Sequence, residues 1–198
     1  MLIVLFLTLA TAAPESVLPI TSANGKILAT GVLLDRFTVL TAAHAVGSER
    51  TVVFVTCGKK EMAGAVTRRA TAHDLALVTL YTSCNDVDVS ELATTDPAAG
   101  ESIDVVGYPS RELTHSSGKV QGYTLLALKN FRMGNGLFWL AMILGADVRP
   151  GNSGGGVYSQ NHKLVGIVHG FSESIPGKPG VAVPLSAINQ FLSSTEEN

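Results

Sequence analysis

The chain has 198 residues, 46% of them hydrophobic and only 15% charged, with a formal net charge of −2. That is enough chain for one large domain or two small ones with a real core, and without a basic surplus nucleic acid is excluded as an expected partner. Its 20 glycines and 8 prolines, among many Val, Thr and Ile residues, favour short strands joined by tight turns.

The one long apolar run stands first, in MLIVLFLTLATAAPES. Met1 to Leu9 is too short to span a bilayer comfortably. Small residues follow in the A-x-A style (Ala10, Thr11, Ala12), so residues 1–13 read as a signal peptide cleaved after Ala12 or Ala13, although no Lys or Arg precedes the run. An apolar N-terminal strand is the alternative. No second membrane segment follows, so the mature protein is expected to be soluble, off the membrane and secreted.

From there on, apolar segments alternate with turn signals. KILATGVLLD, FTVLTAAHAV, TVVFVTCG and DLALVTLY read as strands of a first half, residues 14–97. TTDPAAGES is the linker. SIDVVGYP, KVQGYTLLAL, LFWLAMIL, GGGVYS, KLVGIVHG and GVAVPL are strands of a second half, residues 98–198, with YPSRELTHSSGK among its turn segments. Only PLSAINQFLSS, with Leu185, Ile188, Phe191 and Leu192 on one face, has helical spacing. Strands at this spacing without intervening helices predict an all-β sandwich or barrel with a short C-terminal helix. Cys57 and Cys84 are the only cysteines. Neither belongs to a C-x-x-C pair, so no metal site and no cofactor is expected, and export allows them to form one disulfide.

The chemistry concentrates in DVRPGNSGGGVYS, residues 147–159, where glycines crowd one serine. Glycines at this density let the backbone approach a reacting group closely. Gly151-Asn152-Ser153-Gly154-Gly155 also spells the nucleophile elbow G-x-S-x-G of α/β-hydrolases. That reading needs a helix after the serine and an acid before a later histidine. Three glycines follow instead, and no Asp or Glu separates Ser153 from His162 or His169. The other chain order, His then Asp then Ser, is available. His44 in TVLTAAHAV follows an apolar strand among small residues, and Asp74 in HDLALVTL heads an alternating strand. A buried carboxylate accepting the Nδ1 proton of His44 would orient the ring, leaving Nε2 to deprotonate Ser153. The N–H groups of Gly151 and Ser153 can converge as an oxyanion hole.

TAAH, DLAL and GNSGG together resemble the active-site blocks of the trypsin-like (chymotrypsin-fold) serine proteases. VVGYPSRELTHSSGKV, KLVGIV and VAVPLSAINQFL resemble the second half of the glutamyl endopeptidase and high-temperature-requirement branches. The resemblance covers nearly the whole mature chain. It implies two six-stranded antiparallel β-barrels with the site between them, His44 and Asp74 on the first and Ser153 on the second, and protein or peptide substrates. Asn152 stands where pancreatic-type enzymes carry Asp, and no Ile-Val-Gly-Gly start follows the leader, so their N-terminal activation switch is not expected. The base of the specificity pocket is set six residues before the nucleophile. Here that residue is Asp147, which would favour Lys or Arg before the scissile bond. Alternatively Asp147 points away and binds a backbone group of the turn. The glutamyl branch carries a pocket-wall histidine one position from His169, which makes His169 and Gly170 candidate substrate contacts. Its pocket threonine is replaced here by Val148.

Other matches are weaker. Ser116-Ser117-Gly118-Lys119 reads S-x-x-K, but in a Gly/Ser turn, and Gly118-Lys119 lacks the upstream glycine of a phosphate loop. His73 should face away from Asp74, His115 and His162 read as loop residues, and Met133, Phe138, Trp139 and Met142 as core. The rival to a serine endopeptidase is a secreted pseudo-protease or binding module of the same fold.

Overall fold

Apolar side chains at alternate positions give each short strand one face to bury, and closing a sheet on itself buries those faces without leaving an edge. The computed structural model describes residues 15–127 and 138–194. It gathers the strands into two closed antiparallel barrels of six. The first holds β1 (Val17–Thr21), β2 (Ile27–Asp35), β3 (Thr38–Ala42), β4 (Val52–Cys57), β5 (Lys60–Ala70) and β6 (Leu75–Leu80), in the spatial order β1-β2-β3-β6-β5-β4. The second holds β7 (Ser102–Gly107), β8 (Thr114–Ala127), β9 (Phe138–Leu144), β10 (Gly156–Ser159), β11 (Leu164–Phe171) and β12 (Gly180–Pro184), in the order β10-β11-β12-β9-β8-β7. One helix, α1 (Leu185–Ser193), closes the described chain and buries Leu185, Ala187, Ile188 and Phe191. The proposed leader, residues 1–13, and Met133 lie outside the described residues.

Three apolar clusters hold this arrangement. One fills the first barrel around Ile20, Leu33, Val39, Val53 and Val78. A second fills the other around Ile103, Val105, Met142, Leu144 and Val168. The third joins residues of both, setting Val17, Val32, Leu40 and Leu75 against Val106, Tyr158, Ile167 and Trp139. Burial of each such side chain contributes roughly 2 kcal/mol, so the third cluster fixes the barrels against each other. A polar pin crosses the same seam. The buried Tyr158 hydroxyl and Ser90 Oγ lie 2.7 Å apart, and Ser90 Oγ is 2.7 Å from Ser16 Oγ. Cys57 and Cys84 are joined as a disulfide inside the first barrel.

Two details correct the sequence reading. THSSGK, expected as a turn with His115 in a loop, is the first half of β8, paired residue by residue with β7 from Ser102↔Lys119 to Gly107↔Thr114. Partnering by a neighbouring strand outweighs the turn preference of Ser and Gly. Gly118 serves close packing there, since a Cβ would stand 2.5 Å from the carbonyl oxygen of Gly145. Strands β1 and β5 were not anticipated at all. β1 carries Pro19, and β5 opens with Lys-Glu and closes with Thr-Arg-Arg-Ala.

Candidate active site

Strand register brings the first two residues together. β3 and β6 pair antiparallel with Ala42 opposite Leu75. The residue before β6, Asp74, and the 3₁₀ turn that follows β3, Ala43–Ala45, therefore meet at one end of the first barrel. Asp74 adopts φ 51°, a left-handed conformation that Asp tolerates better than most residues. Its carbonyl accepts the Ala43 N–H at 3.0 Å. Its Oδ1 accepts the His44 backbone N–H at 2.9 Å, and its Oδ2 accepts the His44 Nδ1–H at 2.8 Å. Nε2 of His44 then faces the cleft, 3.2 Å from Ser153 Oγ. The serine hydroxyl also has the carbonyl of His169 within 3.0 Å. Its one proton is thus offered two acceptors before any substrate arrives.

The serine turn is held largely by the first barrel. Thr30, on β2, donates its hydroxyl to the Gly151 carbonyl at 2.8 Å and accepts the Tyr108 N–H at 2.9 Å, while its own N–H binds the Ser153 carbonyl at 2.8 Å. Gly154 must be glycine twice over. Its φ is +83°, and a Cβ would lie 2.1 Å from both the Thr30 carbonyl oxygen and Thr41 Oγ1. Gly151, at φ +102°, backs onto Tyr108 and Pro109. Among the described residues, the N–H groups of Gly151 and Ser153 donate to no protein acceptor. Asn152 is buried against Gly107, and its Oδ1 has no partner among the described residues.

A second histidine enters the site. His169 Nδ1 lies 2.5 Å from the same Asp74 Oδ2 that His44 uses, and its ring packs on Trp139 at 5.0 Å between centroids. Asp74 has only 6% of its side chain exposed. Burial would raise its pKa, but the hydrogen bonds and charges of His169 and His44 outweigh burial and lower it to about 2. The carboxylate stays ionised at any ordinary pH. Oδ2 and the two Nδ1 atoms are the one grouping of metal-ligand type among the described residues. Their 2.5 and 2.8 Å separations are those of proton-filled hydrogen bonds, shorter than the about 3.3 Å between ligands around a tetrahedral zinc.

The remaining sequence candidates fall as follows. Asp147 is exposed, and its carboxylate pairs with Arg149 at 2.7 Å. Its backbone N–H binds Ser116 Oγ. Gly170 follows His169 on β11, with φ +154°. His73 is half-buried and joins none of these bonds, and His162 sits exposed in a turn. His115 faces Asp104 at 3.5 Å. Trp139 and Met142 are core residues, as expected from sequence. Trp139 also walls a cavity of about 490 Å3 beside His44, together with Leu126, Phe171, Val181, Arg69 and Glu173. Sequence reasoning missed Thr30 and Arg69. The latter donates Nη2 to the Ala43 carbonyl next to His44. Neither residue lies in a motif, so no local signal marked them.

Two antiparallel barrels that set serine, histidine and aspartate in a hydrogen-bonded line across their seam define a class, the two-barrel serine peptidases. A model of the trypsin-like peptidase domain matches residues 29–167, and the chain belongs to that family. The chain is 29% identical to a "Serine protease HtrA-like" of Staphylococcus aureus (strain bovine RF122 / ET3-1), over 92% of its own length and 25% of the relative's. It spans about a quarter of the length of the curated relatives it matches. Among solved structures it is similar to the active form of the Rv3671c protease of M. tuberculosis, with a TM-score of 0.79, 22% identity, and coverage of 93% of this chain and 83% of that one. The MamO protease domain of Magnetospirillum magneticum, in its apo form, gives a TM-score of 0.75 and 20% identity, covering 93% and 99%.

Proposed function

We propose that this serine peptidase cleaves protein or peptide chains internally through an acyl-enzyme, with Ser153 as nucleophile, His44 as general base and then general acid, and Asp74 as the group that orients the imidazole. The observation that carries the reading is the line from Ser153 Oγ to His44 Nε2 (3.2 Å) and from His44 Nδ1 to Asp74 Oδ2 (2.8 Å). Substrate would displace the serine proton from the His169 carbonyl toward His44, tightening a bond that is long at rest. The Gly151 and Ser153 N–H groups, unused by the described protein, would receive the oxyanion.

For the side chain before the scissile bond, the Lys or Arg preference expected of Asp147 meets a carboxylate already paired with Arg149 in solvent. Beside it, Val148 packs where a Cβ on Gly180 would come within 2.5 Å of its Cγ2. That surrounding favours a small or apolar residue. The disulfide fits an oxidising compartment outside the cytosol, in keeping with export. Among the described residues no helix is long and apolar enough to cross a membrane.

Ser153→Ala should fold normally and lose about a million-fold in peptide hydrolysis. A serine-directed covalent probe should label the native chain and not the variant. Comparable hydrolysis by the variant, or no labelling of the native chain, overturns the reading in favour of a silent binding module. Peptides differing only in Leu, Arg or Glu before the cleaved bond test the specificity, and a preference for Arg would return the role to Asp147.

A further inference from the structure

His169 is where β11 departs from regular pairing. Val168 stands opposite Ala182 and Gly170 opposite Val181, which leaves His169 as the extra residue of a bulge. Bulges re-aim side chains, commonly next to active sites. Here the bulge turns the imidazole off the barrel wall and onto Asp74, which belongs to the other barrel. Trp139 supports one side of the ring, and His44 lies edge-on at 5.1 Å between centroids. The imidazole is 30% exposed, yet its Nδ1 is committed to the carboxylate and not to the cleft.

We propose that His169 is a positioning residue: it holds Asp74 from the second barrel and, by sharing the carboxylate's charge, keeps His44 a weaker base, so that turnover extends to more acidic pH. This deepens the assignment of His44 as general base and rests on it. Oδ2 takes two Nδ1–H bonds, so its negative charge is divided between two imidazoles. Removing one donor concentrates the charge on His44 and favours its protonated form. Protonation of His169 acts in the same direction as its neutral hydrogen bond, because a cation beside His44 opposes a second one. The other charged groups lining the cavity beside the two rings are Arg69, on β5, and Glu173, in the loop after β11. Both stay in place in the variants below.

The test uses His169→Ala and His169→Asn. Asparagine carries its amide nitrogen close to where histidine has Nδ1, so it keeps the donor without the titration. His169→Ala should lower kcat about tenfold, as loss of a hydrogen bond to a charged group does. KM should stay within about twofold, and the acid limb of kcat/KM should move up by about half a pH unit. His169→Asn should recover most of kcat and part of the limb. An NMR titration of the His44 ring in Ser153→Ala, with and without His169→Ala, reads the same shift without turnover. It therefore separates a failure of this proposal from a failure of the triad assignment. An unshifted His44 titration in two folded proteins overturns it. So does a loss confined to KM, which would return His169 to the substrate wall, or an asparagine variant no better than alanine.

Discussion

Thr30 offers the sharpest check on how the two barrels share one site. Its side chain is fully buried and its hydroxyl makes two bonds, to the Gly151 carbonyl at 2.8 Å and from the Tyr108 N–H at 2.9 Å. Valine has nearly the same shape and neither bond. Thr30→Val therefore leaves a carbonyl and an N–H buried without partners, each costing about 1–2 kcal/mol, or about 3 kcal/mol together. For a domain of this size that is a fall in Tm of roughly 6–12 °C. Gly151 lies in the Ser153 turn, so kcat should fall by about tenfold as the turn loosens. Thr30→Ser keeps the hydroxyl and loses only a methyl group, at about 1 kcal/mol. Thermal melts, denaturant titration and peptide hydrolysis of the three proteins decide the matter. Equal stability in the valine variant, or a serine variant as damaged as the valine one, would refute the account of Thr30 as the clasp between barrels.

Asp74 titrates near 2 in the fold against 3.8 for the free side chain. A depressed carboxylate contributes its stability above the unfolded value, here about 2 kcal/mol, and loses it as pH falls through about 2. The stability gap between the native chain and Asp74→Asn, measured by urea melts, should accordingly narrow as pH falls from 4 to 2. A gap that ignores pH would contradict the assigned ionisation. Replacing both Cys57 and Cys84 by alanine opens a loop of sequence separation 27 and should cost about 3 to 4 kcal/mol. The loss should appear in denaturant midpoints under oxidising conditions and shrink in strong reductant to the packing of the two buried sulfurs.

Most strands and the triad candidates were legible in the sequence because their signals are local. Alternation in DLALVTL, the turn glycines around Ser153 and the order His44, Asp74, Ser153 each need only a few neighbouring residues. β1 and β5 were not legible, since Pro19 and the charged ends of β5 argue locally against strands. Closing the barrel satisfies their backbones through β2, β4 and β6 and overrides that preference. The same limit governs the site. His169 was visible as a candidate substrate contact, but only the bulge in β11 and the docking of the barrels place its Nδ1 on Asp74, 95 residues away in the chain. Thr30 reads as one more residue of an apolar strand, and its two bonds reach 121 and 78 residues along the chain. Sequence alone singled out the side chains proposed for the chemistry. The tertiary structure decided which of them share one carboxylate and which residues hold the Ser153 turn, because a hydrogen bond between barrels depends on register and packing that no local pattern encodes.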